Sequence, residues 1–190
     1  MKLNLNSLKR LTSEQQSEFL GSLSTDELVS LRFNWRFWAR DTQLEPAGDW
    51  ATWLILAGRG FGKTRTGAEW VRDHVTGNPS ARVALVGPTA ADCRDTMIEG
   101  ESGLMGVFPP DQKRRFEASK RRVTFANGAI ATYFSAEKPE RLRGPQHTAA
   151  WCDELCAWRY PQEAWDQLQF GLRLGENPRA CITTTPQPTA

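Results

Sequence analysis

Residues 57 to 64 read Ala57-Gly58-Arg59-Gly60-Phe61-Gly62-Lys63-Thr64 and follow directly on the apolar run Trp53-Leu54-Ile55-Leu56. Glycines at 58, 60 and 62 permit a tight turn whose backbone N–H groups point inward at a polyphosphate. A helix starting where the turn ends presents its positive dipole to the same anion. In such a loop Lys63 reaches the β- and γ-phosphates, and the Thr64 hydroxyl holds Mg²⁺. The usual pattern opens on glycine where this chain has Ala57, but Gly62-Lys63-Thr64 is intact. An ordinary glycine-rich turn is the alternative; the strand expected before it and the helix expected after it favour phosphate binding.

Splitting ATP at its γ-phosphate also requires an acid at the metal, a group that orients water, and a positive charge for the transition state. Asp153 ends the small-residue run Thr148-Ala149-Ala150-Trp151-Cys152 and is the candidate metal acid. Glu154, directly after it, is the candidate that polarises water. Adjacent carboxylates can also be solvated surface charge, but the strand before them and the phosphate loop upstream favour chemistry. Two arginine groups offer the charge. Arg59 lies inside the loop; Arg141 and Arg143 lie in Arg141-Leu142-Arg143-Gly144-Pro145, where an arginine at a subunit edge would complete a neighbour's site or simply line a solvated turn. Gln43 offers the donor and acceptor that an adenine edge requires, or is a polar loop residue with no nucleotide role.

These residues need elements to hold them. Ser24 and Glu27 form a capping box, and Leu28, Leu31, Trp35 and Trp38 recur at helical spacing, predicting one amphipathic helix that ends near Arg40. A loop from Asp41 to Asp49 leads to the first strand. After the phosphate loop, Ala68, Val71 and Val75 mark a helix stopped at Gly77-Asn78-Pro79. Val83–Val86 reads as a strand, with a helix following through Met97. Arg121–Phe125 and Ala129–Phe134 flank Asn127-Gly128, the signature of a hairpin. A strand ending at Asp153, a helix with Pro161 in its first turn, and a strand from Ala180 to Thr184 complete the chain. Strands alternating with helices predict an α/β fold: a mostly parallel sheet covered on both faces, ligand at the carboxyl ends of the strands, an inserted β-hairpin and an N-terminal helical extension. Residues 1–50 are expected to form that extension with an adenine-side loop, and residues 51–190 the core.

Composition narrows little. The formal net charge is +2, so a nucleic-acid surface would need local clustering. One cluster exists: Lys113-Arg114-Arg115 with Lys120-Arg121-Arg122, six cations around Glu117. It would attract DNA phosphates, or serve as the charged edge of the hairpin, the reading slightly preferred from sequence. Cys93, Cys152, Cys156 and Cys181 form no C-x-x-C pair, and His74 and His147 lie far apart, which argues against zinc. Thiols in apolar surroundings suggest a reducing compartment, and no apolar run has the length of a membrane span. The expectation is a soluble, intracellular protein with no membrane partner.

In this order, WLILAGRGFGKTRTGAEW (Trp53 to Trp70), VALVGPT (Val83 to Thr89), RLRGPQH (Arg141 to His147), WCDEL (Trp151 to Leu155) and TTTP (Thr183 to Pro186) make the chain resemble the ATPase domain of the large terminase subunit of tailed bacteriophages, including terminase-like proteins of gene transfer agents. The resemblance covers most of residues 35–190. It implies a P-loop NTPase of the additional-strand catalytic-glutamate type, a motor that hydrolyses ATP to drive double-stranded DNA into a procapsid. Ala57 to Thr64 match the Walker A loop, Asp153 the Walker B acid and Glu154 the catalytic glutamate. Thr183, Thr184 and Thr185 match the coupling motif; Arg143 resembles the trans-acting finger, and Arg59 the arginine other members place within Walker A. Implied partners are a portal protein, the small terminase subunit and further copies in a ring, in the cytoplasm of the infected host. The family's C-terminal nuclease has no counterpart after Thr185, so an isolated ATPase domain that does not cut DNA is expected. A helicase-like translocase and a nucleotide-binding assembly module without turnover are the alternatives.

Overall fold

Alternate residues of the central strands enter opposite cores, which is what a strand buried on both faces must do. In a computed structural model describing residues 5–187, β2 (Arg82–Gly87) sends Val83 and Leu85 into one apolar cluster and Ala84 and Val86 into the other. β6 (Ala149–Asp153) splits Ala149 and Trp151 from Ala150 and Cys152 in the same way. The chain divides into two compact units, Met1–Leu44 and Glu45–Ala190.

The larger unit holds a seven-stranded sheet ordered β1-β7-β6-β2-β5-β4-β3. β1 (Thr52–Leu56), β7 (Arg179–Thr184), β6, β2 and β5 (Ile130–Ser135) are mutually parallel; β4 (Arg122–Phe125) and β3 (Arg114–Glu117) add antiparallel. This mixed α/β sheet has the predicted architecture, with the hairpin at Asn127-Gly128 in place. Gly128 takes φ +94°, the left-handed backbone the turn requires. Cys93, Cys152 and Cys181 are buried and Cys156 is exposed, with all four thiols free.

The smaller unit holds α1 (Leu5–Lys9), α2 (Ser13–Gly21), α3 (Thr25–Arg32) and α4 (Trp35–Trp38). The expected capping box at Ser24 and Glu27 is present, but the single helix through Trp38 is two. The Asn34 side chain accepts from the Phe37 N–H at 3.2 Å and starts a new helix, its short polar arm competing with the helical ladder.

In the larger unit, α5 (Lys63–Thr76) packs on β6 and β7 on one face of the sheet. Gly67 of α5 lies so close to the Trp151 indole that an added Cβ would come within 2.2 Å of the ring. The helix predicted after β2 starts as α6 (Ala90–Asp92), capped by Thr89, and continues as a π turn over Cys93–Ile98. Its Cys93, Met97 and Ile98 fill the same core as α7 (Leu104–Val107). A β-α periodicity cannot announce such a wide turn; tight packing beside Gly87, where a Cβ would meet Cys93 Sγ at 2.8 Å, accompanies it. The opposite face is covered by α8 (Pro161–Gly171), whose Ala164 and Leu168 join Trp158 and Leu142. β3 has no counterpart among the predicted strands: its Arg-Arg-Phe-Glu sequence offers one apolar residue, Phe116, to the core that Val123 and Phe125 of β4 help fill.

Candidate active site

The phosphate loop spans the gap between β1 and α5. Gly60 and Gly62 take φ of +78° and +85°, conformations that favour glycine, and Gly62 forms the start of α5. The Ala57 N–H donates to the Thr184 carbonyl at 3.1 Å, extending the β1–β7 ladder into the loop. Thr66 fastens the first helical turn by donating to the Gly62 carbonyl at 2.9 Å. Lys63, 7 % exposed, donates to the carbonyls of Ala57 and Gly58 at 2.9 and 3.1 Å, and its ammonium stands 3.7 Å from Glu154 Oε1.

The acidic pair arrives on β6. Asp153 is 5 % exposed and its carboxyl is pushed up to about 6, first by burial and further by the neighbouring Glu154 charge. The Thr183 hydroxyl, donating to Asp153 Oδ1 at 2.6 Å, and the Lys63 charge oppose that shift. Behind Thr183, the Trp151 indole N–H donates to the same hydroxyl oxygen at 2.8 Å. Trp151 therefore meets Gly67 of the loop's helix and Thr183 of β7 at once. That role was missed from sequence, where the only signal was a bulky aromatic two residues before the acid.

Glu154 departs from the strand with φ +47°, uncommon for a side-chain-bearing residue. Its backbone N–H donates to the Thr183 carbonyl at 2.6 Å. Both carboxylate oxygens accept from Thr185: Oε2 from the backbone N–H and Oε1 from the hydroxyl, each at 2.9 Å. Thr184 turns elsewhere, its hydroxyl oxygen accepting from the Cys156 N–H at 3.0 Å. The three threonines thus separate: Thr183 on Asp153, Thr184 on the turn after the acids, Thr185 on Glu154.

A cleft of about 1110 Å³ opens over Lys63, Glu154 and Thr185, while the buried Asp153, Thr183 and Thr184 do not line it. Its lining includes Arg59, Lys63, Thr64, Arg65, Glu154 and Thr185 together with Asp92, Asp95, Thr96 and Glu101. Arg65, not singled out from sequence, also bonds the buried Glu69 at 2.8 Å. Arg143 is exposed on the loop after a short turn at Pro139–Leu142 and does not line this cleft, nor does the exposed Arg141. Gln43 belongs to the smaller unit, where its side-chain oxygen accepts from the Arg40 N–H at 3.1 Å.

The donor chemistry fits a nucleotide-bound Mg²⁺. Such an ion commonly takes one or two protein oxygens and completes its shell with phosphate and water, so a hydroxyl at Thr64 and a carboxylate at Asp153 suffice. Among the described residues no cluster of three or more His, Cys, Asp and Glu offers a metal cage.

Residues 54–190 match the family model described as the N-terminal part of the terminase large subunit, T4likevirus type. No curated protein matches the sequence. Among solved structures, the large terminase ATPase domain of Thermus phage P74-26 aligns over 94 % of this chain and 71 % of its own, with a TM-score of 0.60 at 14 % identity. The large terminase of bacteriophage HK97 aligns over 73 % of this chain with a TM-score of 0.58 at 18 % identity. The large terminase of a thermophilic bacteriophage, in complex with ADP, aligns over 86 % with a TM-score of 0.56 at 15 % identity. This chain spans 30 % of the HK97 chain and 38 % of the ADP-bound one. The folds agree, the family model runs from β1 past the last strand, and the chain belongs to the terminase large subunit family, in its N-terminal region.

Proposed function

We propose that the cleft binds Mg²⁺-ATP and hydrolyses it, and that hydrolysis drives double-stranded DNA into a procapsid. The observation that carries this reading is the meeting of Lys63 and Glu154 across 3.7 Å at one rim of the sheet, although about 90 residues separate them in the chain. The large terminase of the thermophilic bacteriophage, solved with ADP and with ATP-γ-S, supports a nucleotide in this cleft.

In this reading the loop N–H groups and the start of α5 hold the phosphates, and Lys63 leaves the loop carbonyls to meet the β- and γ-oxygens. Thr64 and Asp153 would hold Mg²⁺, which supplies charge neutralisation at the phosphates. Glu154 orients water toward the γ-phosphorus, its carboxylate aimed by the two Thr185 bonds. Thr183 and Thr184 tie the same strand to Asp153 and to the turn after it, so a shift of Glu154 is felt along β7. Arg59 supplies charge from within the cleft, and Arg143, exposed, supplies it to a neighbouring copy in a ring. Gln43 serves the adenine. The portal, the small terminase subunit and duplex DNA complete the assembly in the host cytoplasm. No helix of the described residues is long and apolar enough to cross a membrane.

The test is steady-state phosphate release with Mg²⁺-ATP across a range of protein concentrations. Turnover that rises with concentration, falls in Arg143→Ala and vanishes in Glu154→Gln is expected. Absence of turnover at every concentration, with and without duplex DNA, would overturn the enzymatic reading.

A further inference from the structure

The six cations of the basic cluster fall on one device. Lys113 precedes β3, Arg114 and Arg115 lie on it, Lys120 and Arg121 occupy the turn, and Arg122 begins β4. β3 is the last strand of the sheet, four spacings or about 19 Å from β6. The chain as a whole carries a formal net charge of +2, so outside this ribbon it is net acidic. Charge that only deterred edge pairing would sit on β3; here it continues around the turn and onto the second strand.

The ribbon's side chains have distinct tasks. The Arg114 guanidinium donates to the carbonyls of Met105, Pro109 and Gln112, fastening β3 to the segment before it. Glu117 gathers three cations, with Lys120 at 2.8 Å, Arg122 at 3.7 Å and Arg115 at 3.8 Å, and leaves their combined charge positive. Arg121 lies over the Tyr133 ring at 5.8 Å. Lys113, Arg115 and Lys120 are exposed. A groove of about 790 Å³ runs beside them, lined by Lys113, Arg115, Glu117, Arg122 and Thr124.

We propose that the β3–β4 ribbon is a docking surface for the phosphate backbone of duplex DNA. Four residues of strand extend about 13 Å, and duplex DNA carries one charge per about 1.7 Å of its axis, so exposed cations spread over that length meet several phosphates. The turn Ala118–Lys120 follows β3 and precedes Arg122, which pairs with Thr132 of β5, and the Arg121 carbonyl accepts from the Tyr133 N–H one step further along that strand; the cationic tip therefore lies toward the end of the sheet that bears the cleft. The proposal names the DNA-contacting surface of the motor described above and rests on that reading, but its test reads binding alone.

The triple variant Lys113→Gln/Arg115→Gln/Lys120→Gln removes three exposed cations and leaves Arg114 and Arg122 in place. Its affinity for a duplex of mixed sequence, about three helical turns long, is measured by fluorescence anisotropy across a salt series, beside the wild type and a matched variant, Lys9→Gln/Lys138→Gln/Arg159→Gln. The expected result is at least a tenfold weaker binding at low salt and a salt slope shallower by about 2 to 3, close to one unit per lost phosphate contact. The matched variant should keep the wild-type slope, and the ribbon variant should keep its thermal melt and DNA-free ATP turnover. Equal losses in both variants, an unchanged slope in the ribbon variant, or a ribbon whose cations bind polyglutamate but not the duplex would overturn the proposal. Loss of turnover in Glu154→Gln with DNA binding intact would leave it standing, so the two readings fail separately.

Discussion

Lys63 Nζ and Glu154 Oε1 stand 3.7 Å apart, one from the first turn of α5 and the other from the end of β6. The ammonium also holds two carbonyls of its own loop, so it closes the loop on itself while it faces the acid. A triphosphate offers this lysine better acceptors than uncharged carbonyls, because hydrogen bonds between ionised partners are about twice as strong. Lys63→Ala should therefore weaken ATP binding by at least tenfold, about 1.4 kcal/mol or more. Glu154→Gln should hold ATP within a few-fold of wild type and lose about 10²–10⁴ in kcat. Calorimetric titration and phosphate release check the pair, and wild-type turnover in either variant would refute the assignment.

Thr185 contributes a hydroxyl and a backbone N–H to the same carboxylate, and only the hydroxyl can be removed by mutation. Thr185→Val should lower kcat about tenfold or more and leave the KM for ATP little changed, since the bond orients Glu154 rather than the nucleotide. Thr185→Ser, which keeps the hydroxyl, should recover most of the rate. If serine and valine behave alike, the hydroxyl does not position the acid.

Gly67 and Trp151 are in contact across the α5–β6 interface, with no room for a Cβ. Gly67→Ala must push the indole away from a core in which Trp151 is fully buried, and should cost about 1–3 kcal/mol. The shift also strains the indole bond to Thr183, which in turn bonds Asp153. Urea denaturation should show the lower midpoint, and a variant as stable as wild type would mean that the helix moves freely on the sheet.

His147 is buried on the opposite side of the sheet, edge-on to Phe134, and burial lowers its imidazole to about 4. An unfolded histidine titrates near 6.5, so between about 6.5 and 4 the unfolded chain binds the proton that the folded chain refuses. Stability from this residue is complete above about 6.5 and is lost as pH falls toward 4. His147→Phe should flatten the pH dependence of unfolding in that window, measured by denaturant midpoints at several pH values between about 7 and 4.5. A slope equal to wild type would show that His147 is not the group responsible.

Local chemistry in the chain was enough to specify the loop at 57–64, the strand ending at Asp153, the hairpin at Asn127-Gly128 and the cap at Ser24, because each is set by residues within a few positions of one another. The break at Asn34 comes from its side chain capping the Phe37 N–H, which the helical spacing of Leu28, Leu31, Trp35 and Trp38 does not announce. The π turn at Cys93–Ile98 packs against residues distant in the chain, such as Phe134. β3, although its partner β4 follows within a few residues, offers Phe116 as its one apolar residue, so no local pattern carries either element. Strand order decided the site. β7, last in sequence, inserts between β1 and β6, so Thr183 and Thr185 reach Asp153 and Glu154 while Ala57 pairs with Thr184. Residue types and short spacings thus determined which groups could do chemistry. Their convergence on one rim follows from how a parallel sheet buries both faces, which only the tertiary structure decides.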